Sequence, residues 1–404
     1  MPSILLIEYF LSGGSLHLAS SLLIEGYAMV KAACQALSQA GWETVVLVDE
    51  RLLPYVELQS SKLLPVRPGG LLTCLHGLQG FDAALAIAPP MEGAHASLVE
   101  ALEEAGVEPL GPSSRELEAV LDKHGQVETL SRKGVPVPKT ELVDELEPAR
   151  LRELASSLSY PLVFKPRLGA GCEGLFVAYS WRDVEEAVKH GWVAEGYLAQ
   201  EALEGVHASA SVFSDGSKAW SPCLNAQLVE WGRRPSYEGG LAPLSHPLAE
   251  EGVEVAVEAV EALRLRGYVG VDLVLTNEGP YVVEVNPRLT TSIVSLIDLM
   301  GPSVLGSLLS TPRPAPLSLN ELGSLRGACA FVKARARSRT SLSLGLREAL
   351  SRAQGVYALA PLDGWVEVGE PVAIVKASGG TGEEALREAR RLAAMVESRT
   401  ATHA

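Results

Sequence analysis

Cysteine, aromatic side chains and positive charge are all scarce in this chain, and each scarcity excludes something. Its five cysteines, Cys34, Cys74, Cys172, Cys223 and Cys329, are an odd number spread over 404 residues. None is paired at metal-ligand or redox spacing, which argues against a disulfide framework and against a zinc module. Lys plus Arg number 34 against 49 Asp plus Glu, for a formal charge of −15. Such a chain repels nucleic acid and anionic lipid unless its basic groups are gathered in one place. No apolar run is long enough to span a bilayer, and Met1-Pro2-Ser3-Ile4-Leu5-Leu6-Ile7-Glu8 has neither a basic leader nor a cleavage site. The expectation is a cytoplasmic enzyme of small molecules, with no nucleic-acid or membrane partner. With 47% hydrophobic and 21% charged residues, the chain is too apolar for disorder and too long for a single core.

What is present begins as an alternation of strand and helix signals. Residues 4–7, 43–48 and 83–88 read as buried strands, and residues 24–40 and 94–105 as helices stopped by Gly41 and Gly106. That order predicts a doubly wound parallel sheet over residues 1–115. Ser113 and Glu116 have capping-box spacing. The helix they open carries Lys123 and ends near Gly134, before Val135-Pro136-Val137-Pro138 forces an extended course. Strands are expected at 162–165, 175–178, 197–201 and 208–213, with a helix at 181–189 and a loop around 231–240. A helix at 250–265 then precedes strands at 269–275 and 281–285, joined through Asn277-Glu278-Gly279-Pro280. Prolines between Pro312 and Leu317 mark a linker; short strands at 328–334, 366 and 372–375 follow, as a small closing sheet, and then a helix from Gly382 or Glu383 to Val396. The fold class is mixed α/β and α+β, with units 1–115, 116–200, 201–310 and 311–404.

Three runs carry chemistry. In Tyr281-Val282-Val283-Glu284-Val285-Asn286-Pro287-Arg288, strand alternation puts Glu284 and Asn286 on one face, with Arg288 two residues further along. Asp272, in Gly270-Val271-Asp272, lies on the partner strand and can face them. Two carboxylates and an amide oxygen suit Mg²⁺, whose remaining ligands are water and phosphate oxygens. A guanidinium alongside can reach a phosphoryl oxygen. In Val163-Phe164-Lys165-Pro166-Arg167-Leu168-Gly169-Ala170-Gly171-Cys172-Glu173-Gly174, a lysine ends an apolar strand and a glycine-rich loop follows, as where backbone amides close over phosphates. It is neither a Walker A loop nor a dinucleotide fingerprint. Gln200-Glu201-Ala202-Leu203-Glu204-Gly205 joins two strands and offers exposed backbone to a purine edge.

In this order the runs resemble the ATP-grasp superfamily over residues 110–300. The resemblance implies an ATP-grasp fold with an N-terminal pre-ATP-grasp domain and a small C-terminal β-rich appendage. ATP and Mg²⁺, with Mn²⁺ as an alternative cation, are the implied cofactors. It further implies phosphate contacts from Lys123 and Lys165, a flap with Gly169, Gly171 and Gly174, and adenine contacts from the backbone of Glu201 and Leu203. Asp272, Glu284 and Asn286 would hold the metal, and Arg288, with Lys165, would stabilise the transferred phosphoryl group. Where relatives carry a ribose-binding carboxylate, this chain has Val206-His207, so His207 or Glu204 takes that part. Three further segments are similar to the tyramine–glutamate ligase type: Glu8 with Gly13-Gly14 and Ser21 to Gly26, the Gly169 to Gly174 loop, and Asn286 to Ser292.

The implied activity is an ATP-dependent carboxylate–amine ligase working through an acyl phosphate, with glutamate as a candidate acid. The substrates would be a small carboxylate and an amine held near Glu8 and Glu25, and the protein a monomer or homodimer. Two other readings stay open: a bicarbonate-phosphorylating enzyme of the carbamoyl-phosphate or carboxylase kind, and a non-catalytic ATP-binding relative. The second would lack a metal ligand or the phosphate lysine, and none is missing.

Overall fold

The computed structural model describes residues 1–18, 20–58, 61–120, 122–169, 172–314, 325, 327–362 and 364–401. The chain begins with β1 (Ser3–Glu8), α1 (Ser20–Gln39), β2 (Glu43–Asp49), β3 (Ser61–Val66), α2 (Leu71–Leu75), β4 (Ala83–Ile87), α3 (Ala94–Glu104) and β5 (Glu108–Pro109). These strands form a parallel sheet in the order β3-β2-β1-β4-β5. β1 and β2 are buried on both faces, which is why they read as unbroken apolar runs. Alternate strand residues feed two cores, Ile4 and Leu6 toward α1, Leu5 and Ile7 toward α2 and α3.

α4 (Ser114–Val120) and α5 (Lys123–Arg132) lead into a small antiparallel lobe. It holds β6 (Thr140–Leu142), α6 (Pro148–Leu158), β7 (Leu162–Pro166), β8 (Phe176–Ala178), α7 (Trp181–Lys189) and β9 (Tyr197–Glu201), with strand order β6-β9-β7-β8. Phe164 and Phe176 pack there beneath Leu154 of α6 and Val184 of α7.

The largest sheet is antiparallel. It takes β10 (Val206–Asp215), β11 (Ala219–Trp220), β12 (Leu224–Glu230), β13 (Ser236–Ala242), then after α8 (Ala249–Leu263) the hairpin β14 (Arg266–Thr276) and β15 (Gly279–Asn286). Helices α9 (Ile293–Met300) and α10 (Pro302–Leu309) follow, then β16 (Ala328–Arg335), β17 (Thr340–Ser341), α11 (Leu344–Ser351), β18 (Val356–Leu359), β19 (Trp365–Val366), β20 (Pro371–Gly379) and α12 (Gly382–Ala401). Strand order is β15-β14-β10-β12-β13-β16-β20-β18, with β11 on β10 and β17 paired to β19. α8 covers one face of the sheet. The other shares a core with α1, whose Leu23, Ile24, Val30 and Leu37 are fully buried. α1 is therefore apolar nearly all round, as a helix enclosed on every side must be.

Several local expectations change. The helix expected from Ser114 to Gly134 is two helices, because Asp122 starts a new one by accepting the His124 N–H at 3.1 Å. The Ser113/Glu116 capping box forms: Ser113 N–H donates to Glu116 Oε2 at 2.6 Å, and Glu116 N–H to Ser113 Oγ at 3.3 Å. The expected loop at 231–240 instead contains β13, whose Gly239 and Gly240 let β16 approach; a Cβ on Gly239 would run into the Phe331 carbonyl. For the same reason β16, β20 and β18 are not a sheet of their own, and only β17 and β19 pair separately: β16 pairs with β13 and β20 with β16, covering an edge that would otherwise be open. Helices α9 and α10, unforeseen from the sequence, dock on α1. The end of the expected linker, residues 315–317, lies outside the described residues.

Gly306 marks how closely α10 meets α1, since a Cβ there would collide with the Ala36 carbonyl. Gly306→Ala should therefore cost about 1–3 kcal/mol in a chemical denaturation experiment; wild-type stability would contradict this packing.

Candidate functional site

The β14–β15 hairpin builds the centre of the site. Asp272 stands directly opposite Glu284 and Gly270 opposite Asn286. Between Asp272 and Leu273 the register slips by one, so that Val283 faces no residue of β14. Its carbonyl is taken by Lys165 Nζ at 3.0 Å, which also donates to Gln200 Oε1 at 3.1 Å. A bulge in one sheet thus anchors the lysine of another.

Asp272 accepts from Gln227 Nε2 at 2.8 Å and from Asn286 Nδ2 at 3.1 Å. Burial, reinforced by the facing Glu284 charge, pushes its carboxyl up to about 7. Lys123 Nζ lies 3.5 Å from Glu284 and donates to the Gly169 carbonyl at 2.7 Å. Burial lowers the Lys165 ammonium to about 8, against the attraction of Glu284. Two facing carboxylates, one of them strained toward its neutral form, together with an amide oxygen are a donor set that fits Mg²⁺. Among the described residues no group of three or more His, Cys, Asp and Glu has metal-binding geometry. A cation here would thus draw its other ligands from water or phosphate.

The flap is tied at its base. Arg167 grips Asp122 with Nε at 3.0 Å and Nη2 at 2.6 Å, linking the end of β7 to the cap of α5 and so to Lys123. Gly174 has φ +73° and packs on Pro166 and Tyr197, where a side chain has no room. Gly171 lies outside the described residues. Cys172, just beyond, lines the cavity. Burial pushes its thiol up to about 12, so it stays protonated near neutral pH.

One cavity runs past Lys165, Cys172, Asp272, Glu284 and Asn286. At one end Glu201, Leu203, His207 and Trp231 line it, the two rings 5.3 Å apart. The Glu201 N–H is engaged with the Lys139 carbonyl at 3.0 Å, leaving its carbonyl as the group it can offer, while the Leu203 N–H has no partner among the described residues. Burial lowers the His207 pKa and favours a neutral ring. Of the two ribose candidates only His207 lines the cavity; Glu204 is exposed on the turn.

At the other end lie Arg288, Thr290, Thr291, Ser292, Tyr237, Met29 and Glu25. Arg288 donates to the Leu289 carbonyl at 3.0 Å and to Asn286 Oδ1 at 3.4 Å. The turn after it is pinned by the Tyr268 hydroxyl, 2.9 Å from Thr290 Oγ1 and 3.1 Å from Ser292 Oγ. Gly270 has no side chain because Thr290 fills that space. Glu8, at the end of β1, is buried behind Gly26 and accepts the Leu11 N–H at 2.8 Å; burial raises it to about 8 despite the pull of Arg288. It does not line the cavity. Glu25 does, but its carboxylate is paired with Lys333 at 2.5 Å.

The sequence reading missed Gln227, Trp231, Tyr237, Lys333 and His95. His95 is buried beside Arg288, with Nδ1 unpartnered among the described residues, and burial holds it near pKa 3 as a neutral ring. Only Lys333 left a sequence signal, a lone charge inside the apolar run Ala328-Cys329-Ala330-Phe331-Val332-Lys333-Ala334.

Residues 120–292 match the ATP-grasp domain family. The chain carries an ATP-grasp domain. The class works with ATP and Mg²⁺, as the donor set at Asp272 and Glu284 suits. Tyramine–L-glutamate ligase of Methanocaldococcus fervens is 29% identical over 254 residues, covering 61% of this chain and 71% of that one. An ATP-grasp superfamily protein from Archaeoglobus fulgidus superposes with TM-score 0.64 at 25% identity, over 93% of this chain and 99% of the other. L-amino acid ligase from Bacillus licheniformis shares the fold at TM-score 0.65 and 17% identity, over 97% of each. No helix among the described residues is long and apolar enough to cross a membrane.

The facing carboxylates make a pH prediction. Asp272 binds its proton more tightly folded than unfolded, so its contribution to stability falls as pH rises toward and through about 7. A cation relieves that repulsion only once the proton has left. Mg²⁺ should therefore raise the melting temperature of the nucleotide-free protein more at about pH 8 than at about pH 5.5. Asp272→Asn should remove the effect; an equal Mg²⁺ response in that variant would contradict the assignment.

Proposed function

We propose that the protein is a cytoplasmic ATP-dependent carboxylate–amine ligase. The observation that carries this reading is a single cavity lined at one end by Leu203 and Trp231 and at the other by Tyr237 and Glu25; the reading assigns the first to the nucleotide and the second to the substrate. Between them stand Lys165, Asp272, Glu284 and Arg288. A carboxylate oxygen of the substrate attacks the γ-phosphorus and ADP leaves; an amine then attacks the acyl carbon, and phosphate leaves as the C–O bond breaks. The amine's extra proton passes to solvent or a nearby base.

In this reading Lys123 and Lys165 hold phosphates, and the loop with Gly169, Gly171 and Gly174 closes over them. The Glu201 carbonyl and Leu203 N–H meet the adenine, with His207 and Trp231 beside it. Asp272, Glu284 and Asn286 hold Mg²⁺, which when bound supplies charge neutralisation at the phosphates. Arg288 faces the transferred phosphoryl group, where its fixed charge counts most in a site closed to water. No protein nucleophile is needed, consistent with the protonated Cys172. Residues 1–115 and 311–404 then enclose the substrate end, while 116–200 and 201–310 grip the nucleotide. The names of the tyramine–L-glutamate ligases of Methanocaldococcus support an acid and an amine as co-substrates, and make glutamate and tyramine the first pair to try.

Purified protein with Mg-ATP should release ADP when an acid and an amine are both supplied, and far less with either alone. Bicarbonate-dependent release without an amine would contradict the ligase reading.

A further inference from the structure

The substrate end contains a charge arrangement that the nucleotide chemistry does not use. Glu25 comes from α1 and Lys333 from β16, so both lie outside the 120–292 stretch that matches the ATP-grasp family. They meet at 2.5 Å with side chains only 11% and 4% exposed. Lys333 Nζ also donates to Ser21 Oγ at 3.2 Å and stands 5.3 Å from the centre of the Tyr237 ring. Two of its three N–H groups are thus matched to oxygen among the described residues. Glu25 meets both Lys333 and Ser21 through Oε1, the Ser21 hydroxyl at 3.4 Å; its Oε2 has no hydrogen-bond partner among the described residues, although Glu25 lines the cavity. Glu25 and Tyr237 both line the cavity, and Lys333 stands against the two of them.

Stability does not account for the pair, because a buried ion pair is worth little against apolar side chains of similar size. Nor does a simple amine, since a lysine buried in the wall would repel it. A ligand carrying both signs fits the arrangement. Resting on the ligase reading above, we propose that Glu25 and Lys333 form the head-group site for an α-amino acid, with its ammonium at Glu25 Oε2 and its carboxylate at Lys333. These residues determine which acid is accepted, and they are supplied by the N-terminal lobe and the C-terminal strands together.

The test is calorimetric titration of a series of L-amino acids, and of the deaminated analogue of the tightest binder, into protein saturated with Mg-ADP. The expected result is that one L-amino acid binds and that its deaminated analogue binds about 100-fold more weakly, because Glu25 Oε2 would lose the ammonium it meets. The double variant Glu25→Gln/Lys333→Met, which leaves no buried charge alone in that pair, should keep its Mg-ADP affinity and bind the amino acid about 100-fold more weakly. If that variant does not fold, Glu25→Asp, which keeps the pair's charges but withdraws the carboxylate, should show the same loss in lesser degree. The proposal is overturned if no amino acid binds, if the deaminated analogue binds equally well, if the folded variants bind like wild type, or if tyramine affinity falls in their place. Binding is read without turnover, so bicarbonate-driven ADP release would refute the ligase reading separately.

Discussion

Two carboxylates facing each other across a buried hairpin are the constraint around which this molecule is arranged. Asp272 and Glu284 are brought together by strand register, and the register itself sets their repulsion. Everything nearby answers it: Lys123 approaches Glu284, Gln227 and Asn286 donate to Asp272, and Arg288 stands alongside. The register slip that follows Asp272 frees the Val283 carbonyl to hold Lys165, which belongs to the smaller sheet. One irregularity in pairing thus positions charges of both signs, from two lobes, around a single point.

Much of this was legible in the sequence, for physical reasons. Buried strands such as Ile4–Ile7 and Tyr281–Val285 read correctly because burial leaves a continuous or alternating apolar signature. The same alternation put Glu284 and Asn286 on one face. The failures have reasons too. β13 turns Tyr237 toward the cavity and carries two glycines for close packing, so it looked like a loop, while β12, which turns Gln227 toward the cavity, drew no assignment. The break between α4 and α5 rests on a single capping carboxylate inside a strongly helical stretch. The pairing of Glu25 with Lys333 joins residues far apart in the chain, and no local pattern reports it.

Assembly distinguishes the two proposed ends of the cavity. The groups proposed for the nucleotide come from one continuous stretch, in which each lysine, carboxylate and turn is set by its neighbours. The head-group pair proposed for the amino acid comes from α1 and β16, which meet because α1 is enclosed between the parallel sheet and the long antiparallel one. Helix α1 is thus both the core of the molecule and one wall of its site.

In the proposed ligase chemistry a substrate carboxylate takes the phosphoryl group before the amine attacks. Following ¹⁸O from a doubly labelled carboxylate during turnover with Mg-ATP and an amine tests this order. One labelled oxygen should appear in the phosphate released in each turnover, since the C–O bond broken by the amine leaves that oxygen on phosphorus. Phosphate free of label, with turnover intact, would contradict it.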